Sequence, residues 1–156
     1  MRGRLGKYRQ LSRSERRLFW SALVQLARAR WSLKRKPFQE QISGMRRVDG
    51  SVDAKNSFGR IDAAQATLAE DIGRAIGRAA RQLPWDSSCL VRVLAAQRML
   101  QARGVPGAFY IGADKGSGSS ESEFAAHAWL VCGDRFVTGE EGHEKYAVVG
   151  GFAWDG

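Results

Sequence analysis

Asp86-Ser87-Ser88-Cys89-Leu90-Val91-Arg92 is the stretch around which the chain is organised. Asp86, Ser87 and Ser88 are all residues whose side chains accept from the free N–H groups at a helix start. The run that follows, through Leu94 and Leu100 to the stop at Gly104-Val105-Pro106, predicts a helix with Cys89 in its first turn. A thiol at such a place faces the positive end of the helix dipole, which favours the nucleophilic thiolate. Further on, Phe124-Ala125-Ala126-His127-Ala128-Trp129-Leu130-Val131 reads as a strand carrying a lone histidine. A helix-start cysteine and a strand histidine are the parts of a nucleophile and its base.

Upstream, the pattern is helical. Ser12-Arg13-Ser14-Glu15 is a capping box, and apolar residues recur at Leu18, Phe19, Ala22, Leu23, Leu26 and Ala27. That helix is expected to stop near Lys36-Pro37. Residues 38–60 read as a polar connection, with at most a helical turn near Glu40–Met45. Asp62 and Gln65 repeat the cap logic, and Leu68, Ile72, Ile76 and Ala80 line one face of a helix that ends before Pro84. Gly73 and Gly77 weaken this helix but let another backbone come close.

After Gly104 the period changes to two. Strands are expected at Ala108–Ile111, Phe124–Cys132, Arg135–Thr138 and Tyr146–Val149, with a Gly/Ser-rich loop from Gly112 to Ser122 and a tight turn at Gly133-Asp134. Helices first and antiparallel strands afterwards define an α+β domain. Residues 1–10 read as a basic arm and 11–156 as a single domain.

Alternation places Ala125, His127, Trp129 and Val131 on one sheet face, so the imidazole is expected on an aromatic, partly buried surface. A third group is needed to orient it. Counting back across the Gly133-Asp134 turn puts residues 139–141 beside 126–128, which makes Glu140 the first choice and Glu141 the second. Asp134 belongs to the turn, and a non-acidic orienter stays open. The Cys89 N–H is the nearest donor for an oxyanion. Trp85 shapes the neighbourhood or donates its indole N–H, His143 falls in a loop, and the Gly112–Ser122 loop is either a lid or disordered.

The chain has 156 residues, 44% hydrophobic and 26% charged, enough for one unstapled core. No apolar run is long enough for a membrane span, and no signal core follows the basic start, so the cytoplasm is expected. Cys89 and Cys132, the two cysteines, are expected as free thiols, and with His127 and His143 they match no metal-ligand spacing. Residues 1–60 hold 16 Lys+Arg against 4 Asp+Glu, net +12, and residues 61–156 hold 9 against 12, net −3, giving +9. With no nucleic-acid motif beside it, the basic half reads as a solvated helix face or a docking face for an acidic partner. A non-catalytic basic adaptor for peptide or nucleic acid is the rival from outside enzymes.

Cys89-Leu90-x-Arg92 with Leu94, Leu100 and Arg103-Gly104, then Phe109-Tyr110-Ile111-Gly112, then Phe124-Ala125-Ala126-His127-Ala128-Trp129, resembles the lasso-peptide biosynthesis B2 proteins. These are transglutaminase-like, papain-related cysteine peptidases. The opening helix from Leu11-Ser12 to Pro37-Phe38 is similar as well. The resemblance implies that Cys89 is the nucleophile and His127 the base. It implies removal of the leader from a ribosomally made precursor peptide, after which a separate cyclase closes the macrolactam. Acyl transfer to an amine, the transglutaminase outcome, is the alternative for the same pair. Members of that family work with a leader-recognition domain; none is visible ahead of residue 11, so a separate recognition protein is expected. Their third catalytic residue is usually an Asp soon after the third strand, where this chain has Gly139-Glu140-Glu141. Some members are ATP-dependent, but no phosphate loop is present, and neither cofactor nor metal is expected.

Overall fold

The computed structural model describes residues 10–49, 60–114 and 126–156. The basic arm before residue 10, the Gly/Ser loop beyond Asp114 with its lid role, and Phe124 and Ala125 lie outside the described residues. Helix α1 spans Arg13–Arg35 and begins in the expected capping box, Ser12 accepting from the Glu15 N–H while Glu15 accepts from the Ser12 N–H. It ends at Lys36, one residue short of Pro37, whose ring disfavours helical backbone before it. A one-turn helix, α2, covers Phe38–Gln41, slightly ahead of the expected turn. Helix α3, Ala63–Ala80, starts in a second capping box between Asp62 and Gln65. Helix α4, Cys89–Gln101, follows after the Pro84 bend.

Strand β1 is the pair Arg46–Arg47, β2 is Gly107–Asp114, β3 is Ala126–Cys132, β4 is Arg135–Thr138 and β5 is Tyr146–Trp154. They form one antiparallel sheet in the order β1-β5-β2-β3-β4. The domain is therefore α+β, with N-terminal helices packed on a small antiparallel sheet. Three readings need correction. The strand expected at Ala108–Ile111 runs from Gly107 to Asp114, so Gly112, Ala113 and Asp114 belong to the sheet and not to the loop. The last strand does not stop at Val149: it runs through Gly150-Gly151 to Trp154, whose indole N–H donates to the Val105 carbonyl at 2.9 Å. The connection after α2 also supplies β1, which pairs with Ala153 and Phe152 of β5.

Period-two alternation sorts the sheet residues into two faces. The helix-side core joins Phe19, Leu26, Ile72, Ile76, Leu94 and Leu100 to Phe109, Ala128, Leu130 and Cys132. The opposite face carries Ala108, Tyr110, Trp129, Val131 and Ala153, with Val48, Phe136 and Tyr146 against them. On the helix side, α1 packs on α3 and α4, and α4 packs on β3 and β4. Gly73 is where α3 meets β4, because a Cβ there would lie 2.5 Å from the Val137 carbonyl oxygen.

Candidate active site

Cys89 is the first residue of α4. The Ser88 hydroxyl caps the helix by accepting from the Val91 N–H at 3.3 Å, and the Ser88 carbonyl takes the Arg92 N–H at 3.1 Å. Arg92 in turn donates through Nε to Ser87 Oγ at 3.1 Å, which ties the entry loop to the helix. These bonds satisfy the third and fourth N–H groups of the helix and leave those of Cys89 and Leu90 without a partner among the described residues. Two donors at the start of the helix that carries Cys89 are therefore open to an acceptor. Trp85 sits under the Arg30 guanidinium, 5.0 Å from its ring centre, and its buried Nε1 has no hydrogen-bond partner among the described residues.

His127 is the second residue of β3, half-buried, and faces Gly112 across the ladder. Its ring stacks on Trp129 at 5.8 Å and leans on Tyr146 at 5.1 Å. Gly112 makes this possible, since a Cβ there would meet Tyr146 Cβ at 2.7 Å and Trp129 at 2.9 Å. The Nε2 of His127 lies 2.8 Å from the Gly139 carbonyl oxygen. A carbonyl only accepts, so Nε2 carries the proton, and in the neutral ring Nδ1 is left with its lone pair.

Here the expected geometry changes. A bulge between Leu130 and Val131 sets Leu130 opposite Thr138 while Val131 pairs with Phe136, which moves the register by one residue. The ladder ends at Thr138, and the Gly139 carbonyl, not the Glu140 carboxylate, holds the imidazole. Gly139 adopts φ 78°, and a Cβ on it would fall 2.4 Å from the Ala128 carbonyl oxygen. Glu140 and Glu141 are exposed. The Glu140 carbonyl accepts from His143 Nδ1 at 2.6 Å, and His143 packs its ring on Phe136 and Trp129. Asp134 stays in the turn and pairs with Arg135 at 3.5 Å. Sequence reasoning missed Gly139, Gly112 and Tyr146, because main-chain acceptors and glycine clearances leave no chemical signature in a side chain.

Helix α4, which begins at Cys89, packs on β3, the strand that carries His127. The short link Ala102–Pro106 returns the chain from α4 into β2, which pairs antiparallel with β3. The faces differ: Cys89 packs against the helix-side core, whereas the His127 ring shares the opposite face with Trp129. No hydrogen bond joins Cys89 to His127 among the described residues. Cys132 is a different thiol altogether: fully buried, with burial pushing it up to about 12. A separate groove of about 550 Å³ between α3 and β4 is lined by Arg74, Arg78, Arg81 and Phe136 and includes neither candidate residue.

The model of the transglutaminase-like superfamily matches residues 22–150, and the chain belongs to that family. The superfamily domain fits a papain-like cysteine peptidase or an acyltransferase. Comparison with curated proteins and with solved structures finds no match. Among the described residues no helix is long and apolar enough to cross a membrane.

Proposed function

We propose that the protein is a cysteine peptidase that removes the leader from a ribosomally made lasso precursor peptide, before a separate cyclase closes the macrolactam. Cys89 is the nucleophile and His127 the base. The thiolate attacks the leader–core amide, and the Cys89 and Leu90 N–H groups receive the oxyanion. His127 Nδ1, having taken the thiol proton, gives it to the departing core amine. Water then loses a proton to Nδ1, attacks the thioester and releases the leader as an acid. Through each step the Nε2–H bond to Gly139 fixes the ring. A separate leader-recognition protein presents the precursor.

The observation that supports this reading is the 2.8 Å bond from His127 Nε2 to the Gly139 carbonyl, which leaves the Nδ1 lone pair of the neutral ring as a proton acceptor. The mechanism requires the His127 ring to leave the Trp129 face and reach the Cys89 thiol on the helix-side face. The test combines the protein, precursor and recognition protein and weighs the products. Hydrolysis adds one water across the two fragments, whereas a covalent join to an amine means acyl transfer. Cys89→Ala is expected to abolish product; if processing survives, the catalytic reading fails.

A further inference from the structure

Helix α1 commits one face to the core and shows a second apolar line to solvent. Phe19, Ala22, Leu26 and Ala29 are buried. On the other side Trp20 is 65% exposed, Val24 54% and Trp31 58%, and Ala27 between them is exposed as well. Steps of four, three and four residues keep these positions within about 60° of one another around the axis, the seam spacing of helix-on-helix packing. The two indoles stand about 17 Å apart along the helix, with the smaller Val24 and Ala27 between them. An exposed apolar line with tryptophan at both ends has the make-up of a binding hot spot.

The border of this line is cationic. Arg13, Arg16, Arg17, Arg28, Lys34 and Arg35 are all exposed around it, and the Arg35 guanidinium lies over the Trp31 ring at 4.4 Å. The only acidic residue of the helix, Glu15, is engaged by Ser12 and Arg78. A second copy would bring the same cations against these, and residues 1–9 of the chain carry Arg2, Arg4, Lys7 and Arg9. A helix lying on an anionic membrane buries a wide apolar face, but the wide face here is already in the core, and what remains is one residue across.

We propose that the Trp20–Val24–Ala27–Trp31 line of α1, in its rim of cations, docks an acidic amphipathic helix of a separate polypeptide. This deepens the reading of a domain that works beside a recognition protein, and rests on it only for the partner's role. The probe is a synthetic helical peptide of about 21 residues with Leu at the heptad seam and Glu flanking it. It is titrated into the full chain by anisotropy, with tryptophan emission as the second readout. Binding is expected to saturate, to weaken with salt, and to exceed binding of the same peptide with Lys in place of Glu. Replacing both indoles, W20S with W31S, is expected to weaken it about a hundredfold, with circular dichroism and melting unchanged because both side chains are exposed. Equal binding of the Glu and Lys peptides, or full affinity in the double variant, overturns the proposal. So does preferential binding to phosphatidylserine vesicles, or a dimer in sedimentation that the double variant abolishes. Cys89→Ala is expected to bind the peptide as well as the unaltered chain does, so loss of docking and loss of catalysis are read separately.

Discussion

Two glycines on α3 make the packing behind the candidate site measurable. Glycine inside a helix costs about 0.5–1 kcal/mol relative to alanine. At Gly77 an added Cβ meets only the Arg81 guanidinium at 3.7 Å, so Gly77→Ala is expected to gain that amount. At Gly73 the same Cβ lands 2.5 Å from the Val137 carbonyl oxygen, 3.4 Å from its carbon and 3.5 Å from its Cγ1. The nearest of these is backbone, so β4 must retreat by most of an ångström from the helix. Forcing a methyl into a packed site costs about 1–3 kcal/mol, which outweighs the propensity gain. Gly73→Ala is therefore expected to lose about 0–2.5 kcal/mol net. Urea unfolding reads the difference as opposite shifts of the midpoint at unchanged slope, and 1 kcal/mol moves the melting temperature of a domain this size by about 2–4 °C. A Gly73→Ala chain as stable as Gly77→Ala would mean that β4 does not approach α3 this closely, and the positioning of Gly139 argued from that approach would fall with it.

Gly139→Ala must hold φ 78° at about 1–2 kcal/mol and clear the Ala128 oxygen, so the carbonyl moves and His127 loses its acceptor. Cleavage is expected to fall, with ring-nitrogen NMR reporting a mixed tautomer. Glu140→Gln is expected to leave both readouts close to those of the unaltered chain, and a large loss of rate in that variant would return the orienting role to the carboxylate. Burial holds the Cys132 thiol up to about 12 from an ordinary value of 9.0, so the folded state keeps a proton that the unfolded state sheds. Stability is then flat below about pH 9 and falls as pH climbs toward 12. Tyr110, raised to about 12 by burial, adds to the fall above pH 10. Cys132→Ala is expected to flatten the Cys132 part of that slope in pH-dependent urea melts, and iodoacetamide is expected to modify Cys89 well before Cys132 below pH 9.

What the sequence made legible was local. Ser12 with Glu15, Asp62 with Gln65 and Ser88 before Cys89 all cap as their side-chain chemistry requires, because a cap is decided within four residues. The His127–Trp129–Val131 alternation was legible for the same reason, whereas the close backbone approach expected at both Gly73 and Gly77 occurs at Gly73 alone. The illegible parts depend on distant partners. Gly150-Gly151 reads as a break, yet a Cβ on Gly151 would sit 2.7 Å from the Val48 carbonyl oxygen and 3.0 Å from Tyr110, so glycine is what lets β5 pass. The end of the ladder at Thr138 has no residue signature either, so a count across the hairpin continues to Glu140 where the chain instead turns the Gly139 carbonyl onto His127. Alternation also cannot say which sheet face the helices cover. They took Ala128, Leu130 and Cys132, and His127 stayed with the aromatic side.

A backbone carbonyl in the orienting place changes what must be held rigid. A carboxylate on a flexible stem reaches its partner by choosing a rotamer, and its negative charge rewards the contact. The Gly139 oxygen has neither freedom nor charge, so its position is only as good as the backbone that carries it. That backbone is fixed twice: Val137, two residues earlier, is set against α3 by the close approach at Gly73, and Gly139 itself fits under the Ala128 carbonyl only in its left-handed conformation. His127 is clamped from the other direction by Trp129 and Tyr146 over the gap that Gly112 leaves. Tautomer and ring plane are thus products of packing among three glycines and two aromatic rings, and in the proposed mechanism the group that orients the imidazole is part of the fold and not an acidic side chain.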